Sequence, residues 1–261
     1  MNDDPPLIVS IDWLAEHHES VGVVDVRDDW EYEGIGHVPG AVSMPFDRFR
    51  SAADDEPGML PGVERFEELM AEIGIEPGQP IVAYDDEHGV FAARLLVTAM
   101  LYGHDEAHLL DGDFTAWSRS YETSTEAPSV VPTDYRVTVP DDRPLIDAEG
   151  VRAAVGAQNT VLLDTRTPEE FAEGHIEGAI NIDWRTFVDP ETRGIKSEAD
   201  IRAILASMGI GEATRIVLYC NTARRISHTY LVLRHLGYPL VDFYEGSLTE
   251  WRDRELPLVQ G

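Results

Sequence analysis

The sequence has one cysteine, Cys220, and one lysine, Lys196, in 261 residues. A single thiol excludes an internal disulfide and any zinc site built from several cysteines. No window approaches 18 consecutive apolar residues, and the opening MNDDPPLIVS has neither a basic nor an apolar leader segment. A soluble, cytoplasmic protein is expected. At 43% apolar, the chain can form one large domain or two small ones, each with its own core.

Basic residues are also scarce. Twenty Lys and Arg stand against 49 Asp and Glu, a formal net charge of −29. Such a surface repels nucleic acid and anionic membranes, so neither is expected as a partner. Little lysine with abundant carboxylate is a composition similar to that of proteins from salt-loving organisms. There, self-repulsion is screened over about 3 Å at molar salt.

What the chain does contain is a repeat. VGVVDVRDDWEYEGIGHVPGAVSMPF at 21–46 returns as TVLLDTRTPEEFAEGHIEGAINIDW at 160–184. PIVAYDDEHGVFAARLLVTAMLYGHDEAHLLDGDFTAW at 80–117 returns as RIVLYCNTARRISHTYLVLRHLGYPLVDFYEGSLTEW at 215–251. The pairs Asp25/Asp164, His37/His175, Tyr84/Tyr219, Gly112/Gly246 and Trp117/Trp251 are offset by 139, 138, 135, 134 and 134 residues. So small a drift means two copies of one domain separated by short loop deletions.

Each copy alternates strands and helices. VGVVDVR, TVLLDTR, PIVAYDD and RIVLYC are short, nearly continuous apolar runs, while GVERFEELMAEIG, VFAARLLVTAMLYG, EADIRAILASMG and SHTYLVLRHLG carry helical periodicity and end in glycine. The pattern predicts an α/β fold, a parallel sheet covered by helices on both faces. Domain 1 is expected over 1–122, a Pro-, Ser- and Thr-rich linker over 123–143, and domain 2 over 144–261.

Cys220 ends a strand and precedes a helix, the place where doubly wound sheets gather ligands. A helix N-terminus and two nearby arginines, Arg224 and Arg225, favour the thiolate. An inert buried cysteine is the alternative, but it has no use for two arginines within five residues.

The paired elements DVRDDWEYEGIGHVPGA and DTRTPEEFAEGHIEGAINI, the strand-ending cysteine and the following YEGSLTEW resemble the tandem-domain rhodaneses, over nearly the whole chain. The resemblance implies two rhodanese-like domains with five-stranded parallel sheets, of which the second carries the nucleophile. Where the second copy has Tyr219 and Cys220, the first has Tyr84 and Asp85. It also implies transfer of a sulfane sulfur from thiosulfate, or alternatively from 3-mercaptopyruvate, to cyanide, a thiol or a protein acceptor, through a persulfide on Cys220, with no metal or organic cofactor.

The loop CNTARR would wrap the persulfide with its backbone amides, making Asn221, Thr222, Ala223, Arg224 and Arg225 the cradle. Relatives often have glycine where this chain has Ala223, so alanine is strained if the position needs a positive φ. Ile226 stands where a small residue is usual and is expected to narrow the pocket. Arg166 and Arg185 are expected near the substrate. Asp164 and His228 are further candidates, read as strand-end pairing and helix packing first. His37 and His175 recur in both copies, including the one without a cysteine, and read as architectural, with His37 kept as a possible substrate contact.

Two other classes compete. Cysteine phosphatases need five residues between cysteine and arginine, whereas Arg225 follows Cys220 after four. A non-catalytic interaction module fits the first copy but not the second, which retains its thiol.

Overall fold

A computed structural model describes residues 6–50 and 59–261. The first residues of the opening segment, through residue 5, lie outside the described part. The chain divides into two compact units, one of residues 1–142 with 189–195, the other of 143–188 with 196–261.

In the first unit, strands β1 (Ile8–Ser10), β2 (Gly22–Asp25), β3 (Val42–Ser43), β4 (Ile81–Tyr84) and β5 (Ala107–Asp111) form a parallel sheet in the order β1-β5-β4-β2-β3. Every residue of β2 and β4 is buried, as expected of strands covered on both faces. The core on one face gathers Val9, Leu14, Val23, Val82, Tyr84 and Trp117. Residues 123–142, expected as linker, are part of this unit, and Tyr135 among them is fully buried, its hydroxyl 2.8 Å from His104 Nδ1. Residues 189–195 also belong to it, with Arg193 Nε 2.7 Å from Asp113 Oδ2.

The second unit repeats the plan. Strands β6 (Thr160–Asp164), β7 (Ile180–Asn181), β8 (Arg215–Tyr219) and β9 (Val241–Phe243) are parallel in the order β7-β6-β8-β9, the same arrangement as β3-β2-β4-β5. Its core repeats too, with Leu162, Val217, Tyr219, Tyr244 and Trp251. The expected fifth strand is reduced to one parallel bridge, Leu145 to Phe243. Pro144 accepts from Phe243 N at 2.7 Å but has no N–H to donate, which limits the ladder there.

The helix expected from SHTYLVLRHLG begins three residues earlier and runs Arg224–His235. Its start is set by Ala223, whose φ of 61° and ψ of −5° turn the chain out of the loop. No helix among the described residues is long and apolar enough to cross a membrane.

Candidate active site

Cys220 follows the last residue of β8 at the carboxyl end of the second sheet and is 1% exposed. Its backbone is gripped by the segment after β9. Cys220 N–H donates to Ser247 Oγ at 3.2 Å, Leu248 N–H donates to Cys220 O at 3.0 Å, and Thr249 Oγ donates to Asn221 O at 2.9 Å. These bonds fix the exit of the strand. Three residues later the left-handed turn at Ala223 starts the helix, whose first amides have no carbonyl within the helix to accept them.

A carboxylate closes the other side. Glu170 sits in the first turn of the helix Pro168–Glu173, where it accepts from Thr167 N at 3.1 Å and completes a capping box. The same carboxylate accepts from Asn221 Nδ2 at 2.9 Å and from Arg225 Nη1 at 2.5 Å. Burial works against its charge, but the Arg225 hydrogen bond, the Thr167 amide and the charges of Arg225 and Arg166 outweigh it and hold the carboxyl below its ordinary range.

The expectation that Arg166 approaches the substrate is corrected by its burial. It is 1% exposed, with Nε 3.0 Å from both Asp164 oxygens, Nη2 2.6 Å from Asp164 Oδ2 and 2.8 Å from Gly174 O. The first copy has the same knot, Arg27 Nη2 lying 2.5 Å from Asp25 Oδ2 and 2.6 Å from Gly36 O. Asp164 and Arg166 therefore brace the ends of β6 and its turn. Tyr219 joins them, as Tyr84 joins Asp25 at 2.7 Å.

The other candidates separate by exposure. Arg185 is exposed, its guanidinium carbon 5.3 Å from the Trp184 ring centroid. His228 is fully buried and packs edge-on against Trp184, with ring centroids 5.0 Å apart. Ile226 is fully buried, and Thr222 partly so. His37 is buried, stacked on Tyr32 and 3.0 Å from Tyr32 O through Nδ1, while His175 stacks on Phe171 and lies 2.9 Å from Phe171 O. Both histidines hold the same turn.

The equivalent loop of the first copy shows what such a loop can hold. The Asp85 carboxylate accepts from the amides of Glu87, Gly89 and Phe91 at 2.7 Å and of Ala92 at 3.0 Å. Burial still pushes the Asp85 carboxyl up, against the pull of those four amides. Gly89, with φ 81°, precedes the helix Val90–Leu101 as Ala223 precedes its own. By that alignment Gly89, Phe91 and Ala92 correspond to Ala223, Arg225 and Ile226. A cavity of about 260 Å³ opens there, lined by Arg27, Glu31, Phe46, Asp47, Asp85 and Phe91 among others. Asp47 stands in the place of Arg185 and Phe91 in that of Arg225, so these two cations of the second copy have no cationic counterpart in the first.

Reading the sequence alone missed Glu170, Ser247 and Thr249. Glu170 carries a visible signal, TxxE ahead of a helix, but the signal announces a cap and not a contact with the cysteine loop. Ser247 and Thr249 lie in YEGSLTEW, a motif noted for its recurrence and not for its hydroxyls.

The profile of the rhodanese-like domain matches residues 10–120 and 147–254. The chain is 34% identical to a thiosulfate sulfurtransferase of Pseudomonas aeruginosa over 259 residues, covering 95% of this chain and 94% of that one. It is 33% identical to the sulfur carrier protein TtuD of Thermus thermophilus, covering 98% of each. Among solved structures, the 3-mercaptopyruvate sulfotransferase SseA of Escherichia coli shares its fold with a TM-score of 0.81 at 22% identity, covering 93% of this chain and 99% of that one.

Proposed function

Because the chain belongs to the rhodanese family and is a sulfurtransferase, we propose that it moves a sulfane sulfur from thiosulfate to a thiophilic acceptor through a persulfide on Cys220. The Cys220 thiolate attacks the outer sulfur of thiosulfate. That sulfur's bond to the sulfonate sulfur breaks, the electron pair leaves with sulfite, and the enzyme holds Cys–S–S⁻. Cyanide, a thiolate or a protein thiol then attacks the outer sulfur, taking it as thiocyanate or a new persulfide and restoring the thiolate. No step calls for a metal or organic cofactor.

One observation carries this reading. The Asp85 carboxylate oxygens are two bonds from Cβ and are held by four amides. The outer sulfur of a Cys220 persulfide is also an anionic atom two bonds from Cβ, at the same point of the repeat. The Asp85 loop thus supports the amides of Ala223, Arg225 and Ile226 as the cradle of the persulfide. It also supports a non-catalytic first domain, its cradle filled by its own side chain.

The donor follows from charge. Thiosulfate is a compact dianion, and in a chain of net charge −29 it needs local cations, for which Arg185, Arg224 and Arg225 are the candidates. One observation favours 3-mercaptopyruvate instead: Glu170 compensates Arg225, leaving less positive charge for a dianion. A protein acceptor is supported by the likeness to the Thermus carrier protein. A reducing compartment such as the cytoplasm would keep the one thiol ready. Incubation with thiosulfate and, separately, with 3-mercaptopyruvate, followed by mass spectrometry, tests the reading. One sulfur added to Cys220 by thiosulfate supports it, and none from either donor refutes it.

A further inference from the structure

We propose that Glu170 is a positioning residue for sulfur transfer. Its carboxylate holds Asn221 and Arg225, two residues before and two after the left-handed turn at Ala223, and so keeps the loop shaped around Cys220. The proposal rests on Cys220 being the nucleophile.

Comparison of the two copies separates this task from capping. Glu31 is the counterpart of Glu170 and makes the same capping box, accepting from Asp28 N at 3.2 Å. In the first copy the side chains equivalent to the clasp are replaced. Asp86 follows Asp85 and binds Thr115 through both oxygens at 3.0 Å, and Phe91 stands where Arg225 does. Capping is thus common to both copies, whereas the clasp occurs only beside the cysteine.

The clasp also has work to do there that the first copy lacks. Gly89 takes its positive φ at no steric cost, but Ala223 takes φ 61° with a β-carbon. A non-glycine residue stays in that region only where its surroundings over-determine it. Ser247 and Thr249 secure the loop's entry, at Cys220 and Asn221. Glu170 ties that entry to the helix beyond the turn, through Asn221 and Arg225.

The test is the rate at which thiosulfate loads sulfur onto Cys220, followed by mass spectrometry, with melting temperature measured alongside. Glu170→Ala is expected to slow loading by about tenfold or more. Adding Ala223→Gly to it should recover about threefold, since glycine holds the turn without the clasp. Glu31→Ala removes only a cap and should load at the wild-type rate. If Glu170→Ala is too unstable to assay, Glu170→Gln keeps the size and should still slow loading about threefold or more, because Asn221 and Arg225 donate to separate oxygens of Glu170 and glutamine puts an NH2, which cannot accept, in place of one of them. Loading by Glu170→Ala within about twofold of wild type, equal losses for Glu31→Ala, or no recovery with Ala223→Gly would each overturn the proposal. Failure of the wild type to load from thiosulfate and from 3-mercaptopyruvate alike would instead overturn the assignment of Cys220, and this proposal with it.

Discussion

Ala223 and Gly89 occupy the same left-handed position one residue before the helix that follows each central strand, with φ of 61° and 81°. Only one of them is a glycine. Left-handed φ costs a residue with a β-carbon about 1–2 kcal/mol, and glycine gives back about 0.5–1 kcal/mol through its freer unfolded chain. Ala223→Gly should therefore stabilise the protein by about 0.5–1 kcal/mol, read from urea unfolding. A loss of stability would mean that the turn is not strained.

Cys220→Ser should abolish sulfur transfer with the fold intact, because serine is nearly isosteric yet is no accessible anion at neutral pH. Activity above a small fraction of wild type would refute the persulfide route. Cys220→Asp should be equally inactive but melt higher than Cys220→Ser, its carboxylate finding the amides that Asp85 finds in the first copy. Asp85→Cys should form no persulfide that turns over, since Phe91 and Asp47 stand where Arg225 and Arg185 stand in the second copy.

Neutralising Arg224 and Arg225 together with glutamine should raise the KM for thiosulfate by about tenfold or more, the equivalent of about 1.4 kcal/mol of lost charge-assisted hydrogen bonding. Mercaptopyruvate, with one carboxylate, should suffer less. Steady-state kinetics with both donors decides the matter, and unchanged constants for both would make the arginines mere surface charges.

Arg166→Met should cost about 3–5 kcal/mol in unfolding free energy, because it leaves the fully buried Asp164 carboxylate without its cation. Replacing both partners, Asp164→Leu with Arg166→Met, should cost less than the single change. The comparison fails if the double variant is the weaker.

Glu170 predicts a pH dependence of stability. Its carboxyl titrates below the ordinary range in the folded chain, so its contribution is full above the unfolded value of about 4.3 and is lost as pH falls through the lower folded value. The melting-temperature gap between wild type and Glu170→Gln should be open at about pH 6 and close toward about pH 3. A gap that widens on acidification contradicts the ion pair.

The tandem architecture was legible because two cores of similar composition leave similar strings. Apolar strands and glycine-ended helices recur at a nearly constant offset, and the Cys220 position follows from where β8 must end. Side-chain pairing was less legible. Arg166 reads as a free cation two residues beyond a strand, and only the fold shows that its guanidinium turns back onto Asp164. Glu170 and Glu31 look alike as caps, since what distinguishes them lies some fifty residues away, at Asn221 and Arg225 against Asp86 and Phe91. Likewise, the polar composition of 123–143 hid a buried Tyr135, because a single aromatic anchor leaves no periodicity.

The filled loop around Asp85 also makes the chain its own spectroscopic standard. The amide protons of Gly89, Phe91 and Ala92 are held in hydrogen bonds to the carboxyl oxygens of Asp85. Their resonances mark where those of Ala223, Arg225 and Ile226 should move when sulfur is loaded. The loaded fraction of the enzyme could then be read from one NMR spectrum, with no external reference compound, by how far the second set has travelled toward the first.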